Sequence, residues 1–163
     1  MNPALTLASP RLATGWRTQL ALLGAIWLAL LVLFHRDAAA MADIWWNSST
    51  FNHILFVPFI VAWLVGLRSQ ALRHLTPAAW WPGLTLVAAG AAGWLMGGAA
   101  GVDFACQLGL VLMIQGTAIA LLGPAVSRAL AFPIFYALFL VPFGDELVPP
   151  LQVLDAVQND TVE

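Results

Sequence analysis

Apolar residues along this chain run in long blocks separated by short polar breaks. Leu20–Phe34 is uninterrupted, preceded by Arg17, Thr18 and Gln19 and closed by His35, Arg36 and Asp37. Phe51–Leu67 is a second block, with Asn52 and His53 at its start and Arg68 after it. Ala78–Val102 is the longest; Thr85 is its one polar side chain, and Asp103 ends it. Phe104–Leu122 follows directly, carrying Gln107, Gln115 and Thr117, and Gly123-Pro124 terminates it. Ala129–Phe143 is the fifth, with Pro133 inside it and Gly144, Asp145 and Glu146 beyond. A spanning helix needs about 20 mostly apolar residues, and about 17 is a practical minimum. Blocks one, three and four qualify outright, the second just does, and the fifth needs flanking residues or a tilted neighbour. Backbone polar groups in lipid must be satisfied within the segment, so helix is the expectation for all five. The pattern predicts an all-α, multi-pass transmembrane helix bundle of about five spans, plus the start of a sixth element near Leu151.

Composition changes this picture only by excluding alternatives. The 163 residues are 61% hydrophobic and 9% charged, where soluble domains carry about a quarter charged residues. A water-soluble core of this size could not hide so much apolar surface. A net charge of -2 argues against a nucleic-acid partner, which favours a basic patch. One cysteine leaves no internal disulfide framework and no cysteine-based zinc site, and neither a cofactor nor a metal is implied. The first block also admits a signal-peptide reading, with Arg11 and Arg17 as the basic region and Ala38–Ala42 as small residues for cleavage. The intervening His35, Arg36 and Asp37, and the four blocks that follow, favour an uncleaved first helix.

The arginines set an orientation. With five alternating spans, Arg11, Arg17, Arg68, Arg73 and Arg128 fall on one side, and only Arg36 on the other. Asp37, Asp43, Asp103, Asp145 and Glu146 fall opposite those five. The positive-inside rule then predicts a cytoplasmic N-terminal segment (1–19) and a cytoplasmic Arg68–Arg73 loop. It puts the Trp45–Thr50 loop, Asp103 and Asp145-Glu146 outside. Trp16, Trp45, Trp46, Trp80 and Trp81 lie at block edges, where amphipathic rings prefer the headgroup layer.

Glycines sketch the interior. Gly93, Gly97 and Gly101 form a doubled small-xxx-small pattern, which lets another helix approach closely. Gly109, Gly116 and Gly123 recur every seven residues, on one face of the next helix. These stripes predict an antiparallel hairpin of the third and fourth spans, in a packing role.

Polar groups within the blocks are the usual clue to function. No acidic or basic side chain lies mid-block, which weakens a proton-coupled transporter. Gln107, Gln115 and Thr117 are expected to hydrogen-bond between helices. Cys106 and His53 each fall about a turn inside the outer surface, with Arg36 on the same side, so a Cys/His/Arg site is geometrically conceivable. A lone cysteine in an apolar helix is ordinarily a small buried hydrophobe, and Cys106 is assigned to packing. For His53, an interfacial histidine and an active-site contributor both stay open. Thr50 or Asn52 is the expected N-cap of the second helix. Asp145 and Glu146 precede Pro149-Pro150 and an apolar run, which reads as the start of a helix.

Two stretches carry a resemblance. Trp46-x-Ser48-x-Thr50-Phe51-Asn52-His53, then Pro58, Trp63 and Arg68, resembles the first signature of the exosortases. The segment from Phe132-Pro133 through Pro149-Pro150-Leu151-Gln152 resembles exosortase A. Between them, Trp94-Leu95-x-Gly97, Gly101-Val102, Gln107 and Gln115 follow the same pattern. The resemblance implies a multi-pass inner-membrane cysteine-type peptidase or transpeptidase of Gram-negative bacteria. Its substrates would be proteins with a C-terminal PEP-CTERM signal: a Pro-Glu-Pro motif, a hydrophobic helix and a basic tail. It also implies a link to exopolysaccharide production. The family's catalytic Cys, Arg and His lie on helices after the Pro-Pro-Leu-Gln segment. No residue here matches them, so no catalytic residue is expected within this chain and the role is not transferred to Cys106. The exosortase-like region is 20–152; residues 153–163 are polar and do not continue the pattern. The alternative from another class is a non-enzymatic membrane scaffold or transporter subunit.

Overall fold

The computed structural model describes residues 11–48 and 52–142. Helix α1 (Arg11–Leu33) is the first apolar block with its basic lead-in. Helical hydrogen bonding does not stop at the polar triplet. Phe34 N–H bonds to Leu30 O at 2.8 Å and Ala38 N–H to Phe34 O at 3.0 Å, and α2 (His35–Asn47) continues the chain. The outer loop expected to include Trp45 is therefore helical as far as Asn47. Its alanines favour helix, and Met41, Ile44 and Trp45 share one face at spacings of three and four. Met41 is buried, so α2 is held down by packing.

Asn52 serves α2 rather than the helix after it. Its side-chain nitrogen donates to Trp45 O at 2.8 Å and Ser48 O at 2.7 Å, carbonyls that a helix C-terminus leaves without intrahelical donors. This corrects the expected N-cap; the other candidate, Thr50, lies outside the described residues. A 3-10 turn (Asn52–Phe56) leads into α3 (Val57–Leu67), which has proline in its first turn. The short α4 (Ser69–Arg73) follows.

Helix α5 (Gly83–Ala100) starts five residues later than its apolar block. The cause lies in α6 (Asp103–Ala129), which Gly123 breaks at φ 79°, ψ 175°. Pro124 has no N–H, so the carbonyl of Ala120 loses its i+4 donor. Trp80 N–H supplies that bond at 2.7 Å, and Ala78 N–H reaches Leu122 O at 3.4 Å. The non-helical stretch before α5 thus completes the backbone of α6, as a membrane interior requires. The expected stop at Gly123-Pro124 is where α6 breaks. Helix α7 (Ala131–Tyr136) and a 3-10 turn (Ala137–Leu140) end the described chain.

Among the described residues, Gly15–Leu33, Gly83–Ala100 and Asp103–Ala129 are long and apolar enough to cross a membrane. The pair His35–Asn47 and Asn52–Leu67, bent by 112°, counts as a fourth if taken as one span. The fifth expected span is shorter than its apolar block: α7 and its 3-10 turn extend only about 17 Å, against about 30 Å of hydrocarbon.

The α5–α6 hairpin turns at Gly101, which adopts φ 70°. Val102 N–H bonds to Gly97 O at 2.9 Å, the 6→1 closure of a left-handed glycine cap. The glycine seam is real, but its register on α5 differs from the expected one. Gly83, Gly90 and Gly97 are buried, and a Cβ on any of them would collide with α6 backbone or side chains. Gly93 and Gly101 have open space around them. On α6, Gly109 faces Gly90 and Trp94, and Gly116 faces Gly83 and Val87. A seven-residue repeat keeps both stripes facing along the whole contact, where the small-xxx-small spacing drifts off it.

Contacts along α1 fix the two ends of the bundle. Trp16 Nε1 donates to Leu75 O at 3.0 Å, and Leu23 clusters with Leu122 and Val126. Trp27 donates to Ile114 O and Thr117 Oγ1, both at 3.1 Å. Phe34 meets Trp94 edge-on at 4.8 Å. Hence α1 lies antiparallel to α6 and parallel to α5. Arg17, Arg68, Arg73 and Arg128 gather at one end; Asp37, Asp43 and Asp103 gather at the other with Arg36.

Candidate functional site

At the acidic end, Trp94 of α5 joins three elements. Its Nε1 donates to Asp37 Oδ2 at 3.0 Å, its ring takes the edge of Phe34 at 71°, and its carbonyl accepts from Cys106 Sγ at 3.6 Å. A carboxylate bound by an indole N–H at the edge of a bundle loses one hydration partner and gains a charge-assisted one. Asp37 entered the sequence reading only as a topological charge. Its position three residues beyond the last apolar residue of block one was the signal that it could fold back onto the bundle.

Cys106 is buried. Around it lie Trp94 and Gly97, where a Cβ on Gly97 would sit 3.1 Å from Sγ. The thiol belongs to the hairpin seam, in agreement with its assignment to packing. His53 lies elsewhere in the architecture. It is exposed, on the 3-10 turn that packs between α2 and α3. Arg36 is exposed on α2. The conceivable Cys/His/Arg grouping is therefore spread over a buried seam and two exposed positions.

What the acidic end does bring together is the two signature stretches. Ile54 and Val57 are buried against Ile44, Trp45, Tyr136 and Leu140, and Trp45 Nε1 donates to Leu140 O at 3.0 Å. Tyr136 lies in an aromatic run, 6.0 Å from Phe132 and 5.4 Å from Phe139. Residues some 80 positions apart in the chain thus form one wall. Asp145, Glu146 and Pro149-Pro150 fall outside the described residues.

Gln115 and Thr117 fasten the bundle as expected. Gln115 Nε2 donates to Ile134 O on α7 at 2.8 Å. Thr117 Oγ1 accepts from Trp27 and donates to Ile114 O at 2.8 Å. Gln107 is buried at 4% exposure. Trp16 and Trp45, expected at the headgroup layer, turn their N–H groups onto backbone carbonyls of the bundle. Trp46 and Trp81 remain exposed.

A family model described as transmembrane exosortase matches residues 45–159. The chain belongs to the transmembrane exosortase family. The match covers both signature stretches and the α5–α6 hairpin between them. No curated protein matches the chain, and no solved structure does. Family membership suggests a peptidase or transpeptidase embedded in a membrane.

Proposed function

We propose that this chain supplies the membrane frame of an exosortase A-type cysteine peptidase of a bacterial inner membrane. Its substrates are proteins with PEP-CTERM sorting signals, and its work is tied to exopolysaccharide production and protein export. The observation that carries this reading is the meeting of the two signature stretches at the acidic end of the bundle. The N-terminus and the Arg68–Arg73 end face the cytoplasm by the positive-inside rule, so the signature wall faces outward. A signal made of a Pro-Glu-Pro motif, an apolar helix and a basic tail crosses in the same sense, with its tail inside and its scissile region outside.

Amide cleavage needs a thiolate, a base to hold and relay the proton, and a donor for the developing oxyanion. The Cys106 thiol is buried in a helix seam and donates to the Trp94 carbonyl, which supports a packing role for it. The reactive Cys, Arg and His are those that the family carries on helices after the Pro-Pro-Leu-Gln segment. The role of the residues described here is to seat those helices and to orient the apolar helix of the signal.

The test is processing of a PEP-CTERM substrate in a host deleted for its own exosortase. The 163-residue chain alone is expected to leave the substrate uncut. Co-expression with the C-terminal helices of a related exosortase is expected to restore cutting, because membrane helices insert independently and then associate. Cys106→Ala should leave that restored activity intact. Cutting by the chain alone, abolished by Cys106→Ala, would overturn the assignment.

A further inference from the structure

At the basic end a cavity of about 530 Å³ opens between α1, α3, α4, α6 and α7. This lies within the range of about 300–1,000 Å³ typical of small-molecule sites. Its wall is apolar, from Leu23, Val61, Val65, Ala118, Leu122 and their neighbours. The polar groups deep in it are already engaged: Gln115 with Ile134 O, and the Trp27 indole with Ile114 O and Thr117. At the mouth, the Trp16 indole is held by Leu75 O. That leaves Ser69 and Arg73, four apart on α4, as the polar side chains of the rim. Among the described residues lining the cavity, none is acidic.

We propose that this cavity holds an acyl chain of an anionic phospholipid from the surrounding bilayer, with the phosphate at Arg73 and Ser69. An apolar space of this size open to lipid does not stay empty, because its walls would forfeit dispersion contacts. The basic tail of a sorting signal would meet Arg73 as a like charge. A phosphate instead complements it, and basic pockets between membrane helices are known seats for anionic headgroups. The cavity borders the signature wall through Val61, but a lipid in it does not rest on the peptidase reading.

The full chain, stripped of lipid in a mild detergent, is titrated with phosphatidylglycerol or with phosphatidylcholine of the same acyl chains. Bound lipid is read by native mass spectrometry. Phosphatidylglycerol should bind about fivefold more tightly, as one arginine near a headgroup contributes, and Arg73→Gln should bring it to the phosphatidylcholine level. Equal affinity for the two lipids, or a preference that survives Arg73→Gln, overturns the proposal. A second readout needs no variant. Phosphatidylglycerol with a photoreactive group in mid-chain should label Leu23, Ala118 or Leu122, which are buried from the outer surface. Labelling confined to the outward-facing Leu28, Val32 and Leu95 would overturn it. So would a dimer in which the cavity labels vanish, or displacement of the lipid by a single-span peptide with a basic tail.

Discussion

The α5–α6 hairpin and the α3–α7 pair solve the same problem, packing helices inside lipid, in opposite ways. The hairpin uses two full-length helices and removes side chains from the contact, so that Gly90 and Gly109 bring backbone against backbone. The α3–α7 pair uses short helices with 3-10 ends and fills the contact with Ile54, Val57, Tyr136 and Leu140. Lipid offers no hydrophobic force between helices, so close van der Waals contact has to hold the first. Side-chain hydrogen bonds from neighbouring helices hold the second in place, from Trp45 of α2 and Gln115 of α6 to the carbonyls of Leu140 and Ile134. Irregular backbone at membrane depth is tolerated where protein buries it or a cavity borders it, and Ala137 of the second 3-10 turn lines the lipid cavity. The difference separates a regular frame from an irregular wall. The regular hairpin is the frame, and the irregular pair carries both family signatures.

The comparison predicts unequal sensitivity to added volume. Gly116→Leu or Gly97→Leu should abolish most folded protein in detergent. Overpacking commonly costs about 1–3 kcal/mol; here the obstacles include backbone, with Val87 N at 2.7 Å from a Cβ on Gly116. Gly66→Leu and Gly93→Leu, which open into free space, should leave the yield near that of the parent. Thermal aggregation followed by fluorescence-detected gel filtration separates the two groups, and similar losses in all four would remove the seam.

Removing volume should hurt the other region instead. Ile54→Ala empties a site that is 2% exposed and should cost about 2 kcal/mol in lost packing. Leu95→Ala, at 63% exposure, should cost little in the same melting assay. A smaller effect is expected from Trp45→Phe, which keeps the ring but leaves the Leu140 carbonyl without its indole donor, about 1 kcal/mol. Equal melting of Trp45→Phe and the parent would mean that the bond does not fasten the two signature stretches.

The two regions also differ in how far the sequence disclosed them. Block lengths and the Gly123-Pro124 stop made the long helices legible, because a bilayer turns apolar length directly into a span. The register of the seam was less legible. Gly93 and Gly90 are equivalent as letters, and only the partner helix, with its own seven-residue stripe, selects Gly90. Helix α2 was hidden because His35, Arg36 and Asp37 look like a membrane boundary, while Met41 and Trp45 make sense only against α6 and the 3-10 turn at Leu140. Asp37 was hidden for the same reason, its partner Trp94 being 57 residues away. At the candidate site, both signatures were visible as patterns; that they touch was a property of the fold alone.

In the proposed orientation the signature wall faces outward and the arginine end lies in the cytoplasm. The most direct measurement is thiol labelling in a Cys106→Ala background, with a single cysteine at Ala42 of α2 or at Ser69 of α4, both exposed. In cells with a permeabilised outer membrane, an impermeant reagent should modify Ala42→Cys at once. It should modify Ser69→Cys only after the inner membrane is opened. Equal labelling of the two sites, or the reverse order, would contradict the orientation and with it the outward-facing site.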